Sequence, residues 1–202
     1  ESRGLGDVYK RQDKDSENFK ENLKIINNQI RQIGNLVNEF SDFARMPKPT
    51  MRDNDLVSLL KENIKLVNEI DKSIQIEFTK NLEKIVLNSD KEQISRVFFN
   101  LIKNSIESIQ QKADNDSKFN KKITIELSEI DDHIYIVIID SGIGFSKVSS
   151  NLKDILNPYF TTKKNGTGLG LSIVNKIISD HNGKIDFVSM SDGAKIKIDF
   201  VK

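Results

Sequence analysis

Apolar positions early in the chain fall on one repeating step. Phe19, Leu23, Ile26, Ile30, Ile33, Val37, Phe40 and Ala44 are spaced 4, 3, 4, 3, 4, 3, 4, a heptad seam of the kind that packs helices against one another. Ile25, Leu36 and Phe43 widen the stripe, which suits a four-helix arrangement better than a two-stranded coil. The other reading is a single amphipathic helix lying on its own domain. Pro47 and Pro49 cannot continue the helix and end it. Residues 1–12 (ESRGLGDVYKRQ) do not share the spacing, and Gly4 and Gly6 are expected to break any helix there. The segment is also similar to translated adaptor sequence, so a non-native leader is expected.

Past the prolines the period changes from element to element. Residues 56–69 predict a helix, 74–78 a strand of period 2, and 85–87 a short strand. Asp90 is placed to cap a helix running to about residue 111, and the polar stretch 112–121 predicts a loop. Residues 122–130 and 134–139 are two strands close enough for a hairpin, the second an unbroken apolar run of the kind expected in a buried strand. Residues 141–165 are polar and irregular; a helix over about 168–180 and strands at 184–188 and 194–201 follow. Helices mixed with hairpins predict an α+β chain: a two-layer α/β sandwich with helices on one face of a mixed sheet, preceded by a long helix. The expected organisation is a leader over 1–12, a helical segment over 13–46, a linker over 47–55 and one domain over 56–202.

Composition adds mainly exclusions. Thirty-one Lys+Arg against thirty Asp+Glu leave a net charge of +1, which argues against a nucleic-acid partner. There is no cysteine for a disulfide, a thiolate metal site or a nucleophile, and only two histidines, His133 and His181. No apolar run approaches ~18 residues, so a cytosolic setting is the default for this segment.

Three places could carry chemistry. On the helix from Asp90, Asn100, Asn104, Glu107 and Gln111 fall within about 60° of one another. Alone, that stripe reads as a solvated face, although asparagine is a mediocre helix former and its amide oxygen suits Mg²⁺ that already carries phosphate oxygens. Asp140-Ser141-Gly142-Ile143-Gly144 closes the apolar strand; a carboxylate there could accept from an exocyclic amine, or the segment is a plain turn. Gly166-Thr167-Gly168-Leu169-Gly170 leads into an amphipathic helix, and bare N–H groups at a helix start attract phosphate. It is neither a P-loop, since no Gly-Lys-Ser/Thr follows, nor a dinucleotide fingerprint, since the spacing is G-x-G-x-G and no strand precedes it.

The order of the three is more specific than any one of them. Together they resemble the GHKL family of ATP-binding domains, in particular the catalytic half of bacterial sensor histidine kinases. Residues 96–105 (RVFFNLIKNS) are similar to the family's N box, 140–144 to its G1 box, 158–163 (PYFTTK) to its F box and 166–171 to its G2 box. Residues 38–49 (NEFSDFARMPKP) resemble the end of the second dimerisation helix in nitrogen-regulation sensor kinases of the NtrY type.

The resemblance implies a Bergerat-type fold with ATP and Mg²⁺ as cofactors. It implies that Asn104 holds Mg²⁺, Asn100 contacts the ribose–phosphate side, and Asp140 binds the adenine amine with Gly142 and Gly144 letting the base approach. Residues 145–167 would form a mobile lid anchored by Phe160, with Lys163 near the γ-phosphate, while Gly166, Thr167, Gly168, Leu169 and Gly170 would line the phosphates. ATP-hydrolysing relatives such as gyrase, the GHKL chaperones and the MutL proteins place a glutamate where this chain has Asn100. An asparagine is no general base, so ATP binding with poor hydrolysis is expected. The activity implied is transfer of the γ-phosphate to a histidine and thence to a response regulator, by a homodimer formed through the heptad helix. The family's acceptor histidine is missing from its expected place, so a fragment unable to phosphorylate itself is expected, any membrane anchor lying upstream. The competing expectations are a non-catalytic ATP-binding dimerisation module and a GHKL serine kinase of the anti-sigma class.

Overall fold

The computed structural model describes residues 3–114, 118–145, 152–163, 166–190 and 192–202, without the side chains of 3–17, 35, 39, 42, 43, 153 and 189. The chain divides into two compact units, Glu1–Met46 and Pro47–Lys202.

The first unit is one helix, α1 (Arg3–Ala44). It runs through Gly4 and Gly6, against the expectation that they break it. Glycine costs about 1 kcal/mol per helical position relative to alanine, and neither glycine nor proline follows until Gly34, so neighbouring turns carry the helix through. Its heptad row from Phe19 to Phe40 is 42–63% exposed.

The second unit begins with β1 (Arg52–Asp55), α2 (Leu56–Asn68), β2 (Gln75–Lys80), β3 (Val86–Ser89) and α3 (Lys91–Ala113). It continues with β4 (Lys122–Ile130), β5 (His133–Asp140), a 3₁₀ turn (Leu152–Leu156), α4 (Gly170–Asp180), β6 (Gly183–Ser189) and β7 (Ala194–Val201). Five strands form one open sheet in the order β2-β4-β5-β7-β6, in which only β2 and β4 are parallel. The strand β1 was not expected, because Arg52, Asp53, Asn54 and Asp55 have no apolar alternation; its antiparallel pairing with β3 specifies it. The segment expected as a linker is therefore fastened down. Gln93 Nε2 donates to the Pro47 carbonyl at 3.1 Å, and the Thr50 N–H donates to Asp90 at 2.8 Å.

One face of the sheet makes the core. Period-2 alternation puts Ile123, Ile125 and Leu127 of β4, Ile134, Ile136 and Ile138 of β5, and Ile196, Ile198 and Phe200 of β7 on that face, all buried. Register aligns them in cross-strand rows, Ile125–Ile138–Ile196 and Leu127–Ile136–Ile198. Opposite them pack Leu56, Leu59 and Leu60 of α2, Ile94, Val97, Phe98, Leu101 and Ile102 of α3, and Ile173, Val174 and Ile177 of α4. Each such side chain contributes about 1.5–3 kcal/mol on burial. The apolar run of β5 is buried on this face only; Tyr135, Val137 and Ile139 on the other are half-covered.

Asp90 fixes where α3 starts. One carboxylate oxygen accepts from the Glu92 and Gln93 N–H groups at 3.1 and 3.0 Å, the other from Thr50. Burial raises its carboxyl, but these N–H groups outweigh that and hold it below the ordinary value. The Asp90 N–H donates to Nε2 of the buried His181 at 3.0 Å, and Nδ1 of His181 meets the Ile177 carbonyl at 2.8 Å. An N–H can only donate, so Nε2 is the acceptor and the ring proton sits on Nδ1. His181 thereby ties the first turn of α3 to the last of α4. Asp90→Ala removes the cap and the hold on residue 50 together. A loss of about 1–2 kcal/mol in urea unfolding at pH 7 is expected, shrinking as pH falls and the native carboxyl protonates.

Candidate functional site

Helix α3 carries three stripes. The apolar one faces the sheet. A second, Ser105, Ser108 and Lys112, follows spacings of 3 and 4, so one face meets the end of β5. The third, Asn100, Asn104 and Glu107, lies about 100° round from the second. These three side chains are half-buried and not fully solvated, while Gln111 is exposed.

Asp140 is the end of an apolar row. It follows Ile134, Ile136 and Ile138 on the core face of β5, opposite Ile123 on one side and Ala194 on the other, and is only 5% exposed. Its Oδ1 accepts the Gly142 N–H at 2.9 Å and its Oδ2 accepts the Ser105 hydroxyl at 3.2 Å. It makes no ion pair with the described residues; burial pushes its carboxyl up to about 6, against hydrogen bonds from Gly142, Ser105 and Ala194 and the charge of Lys112. One turn on, Ser108 Oγ accepts the Ile143 N–H at 3.1 Å. A Cβ on Gly142 would lie 2.1 Å from that oxygen and 2.8 Å from the Ser108 backbone, so close packing on α3 by itself demands glycine there.

Residue 112 was expected in a loop but lies in the last turn of α3. Its Nζ donates to the Ser141 carbonyl at 3.0 Å, pairs with Asp192, and lies 4.5 Å from the Phe119 ring centroid. Ser141 in turn accepts the Lys122 N–H on its hydroxyl at 2.9 Å. Gly144 lies in the same turn, and beside it the Phe145 ring meets Phe187 edge-on at 5.3 Å. The turn bearing Asp140 is thus held by α3, β4 and β6.

Of the expected lid, residues 146–151 and 164–165 lie outside the described residues, and 152–156 form the 3₁₀ turn. Lys163 reaches back to α3: its Nζ donates to Asn104 Oδ1 at 3.0 Å and pairs with Glu107. Phe160 is half-buried and its N–H donates to the Asn157 carbonyl. Gly168 has φ +71°, and a Cβ there would lie 2.4 Å from the Tyr159 backbone, whose N–H donates to the Gly168 carbonyl. Gly166 closes a turn on the Lys163 carbonyl, and Thr167 Oγ1 accepts the Leu169 N–H at 3.4 Å. The N-cap of α4, Leu169, makes no side-chain capping bond, and the first helical residue, Gly170, has open space where a Cβ would stand.

The structure therefore gathers Asn104 and Lys163 at one point and Asp140 and Gly142 at another, both along α3. Sequence reasoning missed Ser105, Ser108, Lys112 and the role of Glu107. The available signal was two serines three apart on the border of an apolar helix face, where serine has no propensity advantage. The two histidines are accounted for separately: His181 is the interhelical tie, and His133 Nδ1 contacts Asp199 at 2.7 Å while its ring stacks on Tyr135.

Residues 89–201 match the family described as histidine kinase-, DNA gyrase B- and HSP90-like ATPases. The chain is 34% identical over 188 residues to an NtrY-like sensor histidine kinase of Rickettsia felis, covering 93% of this chain and 30% of that protein. It is 31% identical over 179 residues to the nitrogen regulation protein NtrY of Azorhizobium caulinodans, covering 89% of this chain and 23% of that one. The chain thus spans less than a third of the length of these curated relatives. The catalytic domain of histidine kinase ThkA superposes with a TM-score of 0.64 at 28% identity, over 76% of this chain and 96% of that one. The same kinase in complex with response regulator protein TrrA gives 0.68 at 25%, over 88% and 49%.

The raised value of Asp140 sets a stability test. Protonation favours the folded free domain, so ionisation costs stability as pH rises through about 6 and costs nothing below the ordinary 3.8. Asp140→Asn removes that cost. It should stabilise the free chain by about 3 kcal/mol at pH 8 and leave it nearly unchanged at pH 3.5. Urea unfolding at the two pH values checks this, and equal stabilities at pH 8 would contradict a costly buried charge.

Proposed function

Since the chain belongs to the family of histidine kinase-, DNA gyrase B- and HSP90-like ATPases, we propose that it is the ATP-binding catalytic portion of a two-component sensor histidine kinase of the NtrY-like type. The observation that carries this is the buried Asp140 carboxylate, without an ion-pair partner among the described residues, closing an apolar row against Ser105, the residue that follows Asn104 on α3. Leaving a charge in that setting is costly unless a ligand uses it.

In this reading the Asp140 carboxylate accepts the exocyclic amine of adenine. Asn100 faces the ribose and phosphates, and the start of α4, with the open face of Gly170, receives phosphate oxygens. The donor set near Asn104 suits a hard cation: its amide oxygen already accepts from an ammonium, and Glu107 supplies a carboxylate beside it. Among the described residues no group of three or more His, Asp or Glu gathers to hold a metal, so Asn104 would hold Mg²⁺ that shares phosphate oxygens. When bound, that ion neutralises phosphate charge. Lys163, exchanging Asn104 for phosphate, would face the terminal phosphoryl group, and residues 145–167 would cover the nucleotide.

Asn100 cannot activate water as a base, which keeps the γ-phosphate for a histidine acceptor. Neither histidine of this chain fits that part, since His181 is buried between helices and His133 is held against Asp199. The acceptor helix and a receiver-domain partner are read from the relatives, one of which is solved with a response regulator. The exposed heptad row of α1 would pair with a second copy. Among the described residues no helix is long and apolar enough to cross a membrane, and this segment would work on the cytoplasmic side of any inner-membrane anchor.

Calorimetric titration with ATP, with and without Mg²⁺, tests the reading. The native chain should bind, Asp140→Asn should lose about tenfold or more in affinity, and Asn104→Ala should abolish the Mg²⁺ dependence. Steady-state ATP hydrolysis should be negligible in all three. A folded native chain that ignores ATP would sink the assignment.

A further inference from the structure

The Asp140 carboxylate must act as an acceptor if it is to read an amine, yet its surroundings press it toward the neutral acid. What opposes that pressure can be counted. From α3, Lys112 supplies a positive charge, but its Nζ sits on the Ser141 carbonyl and is paired with Asp192 of the β6–β7 turn. From β4, Lys122 is paired with Glu77. On β7, Lys195 follows Ala194 and so alternates to the other face. The close-range support is then three hydrogen bonds, two from the backbone of Gly142 and Ala194 and one from a side chain, Ser105. Ser105 is itself 2% exposed.

We propose that Ser105 is a positioning residue that sets purine choice, its hydroxyl holding Asp140 as an acceptor so that the site selects adenine over guanine. The proposal rests on the nucleotide reading above. The chemistry follows from the two bases. Adenine offers an amine, a donor, where guanine offers a carbonyl, an acceptor. An ionised Asp140 attracts the first and repels the second, whereas a neutral Asp140 can donate to the second. Each of the three donors holds the anion more strongly than the neutral acid, and the Ser105 hydroxyl is the one that a side-chain substitution removes. With the carboxyl already near 6, losing that one donor brings the neutral form into play at pH 7.

The test compares native chain, Ser105→Ala and Ser105→Thr by calorimetry with ATP and GTP from pH 6 to 8.5, alongside carbon-detected NMR titration of Asp140 in the nucleotide-free chain. Alanine is the better helix former, and urea midpoints confirm that each variant is folded. Ser105→Ala should move the Asp140 midpoint up by about one pH unit and weaken ATP about twofold at pH 7 and about fivefold at pH 6. That loss should vanish at pH 8.5, and the ATP-over-GTP preference near pH 6.5 should narrow by about tenfold. Ser105→Thr, which keeps the hydroxyl, should restore all three. An unchanged midpoint and a pH-independent affinity loss in Ser105→Ala would mean that Ser105 only fills space, and would overturn the proposal while the nucleotide reading stands. A native chain that binds neither nucleotide at any pH would overturn both.

Discussion

A carboxylate set into the apolar face of a sheet is the constraint around which this domain is arranged. Strand alternation puts Asp140 in the same row as Ile134, Ile136 and Ile138, and a one-residue slip in β5 would turn it outward and expose the isoleucines. The buried charge then dictates its neighbours. Gly142 must bring its N–H to Oδ1, which a side chain would prevent because Ser108 lies against it. Ser105 must present a hydroxyl, and Lys112 must lean over the turn from the last turn of α3.

The side-chain part of that support comes from one helix, α3. The capped start at Asp90, held again through His181, sets the rotational phase of α3. From that phase follow the apolar stripe on the sheet, the serine stripe on the Asp140 turn, and the asparagine stripe meeting Lys163. The serine stripe at Asp140 and the asparagine stripe therefore keep their separation because helical geometry fixes it.

Much of the architecture was legible because it rests on period. The strands at 122–130, 133–140 and 194–201 alternate or run apolar, and α2 to α4 carry helical stripes, with Asp90 readable as the cap of α3. Strand β1 was not legible, since four polar residues become a strand only through β3. Nor could Gly4 and Gly6 be placed by local propensity, because a long helix absorbs two unfavourable positions. At the site, the residues that carry the family's motifs could be named in advance. Their supports could not: Ser105 and Ser108 look like ordinary polar helix positions until the turn they hold is seen, and the Lys163–Glu107 pair spans 56 residues.

Because three stripes with different neighbours share one helix, α3 and the loop after it should have very different histories of length change. Inserting or deleting one residue between Asn100 and Lys112 turns everything beyond it by about 100°, which would swap the stripes and aim the wrong chemistry at each neighbour. Such a change cannot be absorbed by local relaxation, and related genes should keep this interval at constant length even where its side chains drift. The polar stretch that joins α3 to β4 imposes no such phase, and there residues could be gained or lost freely.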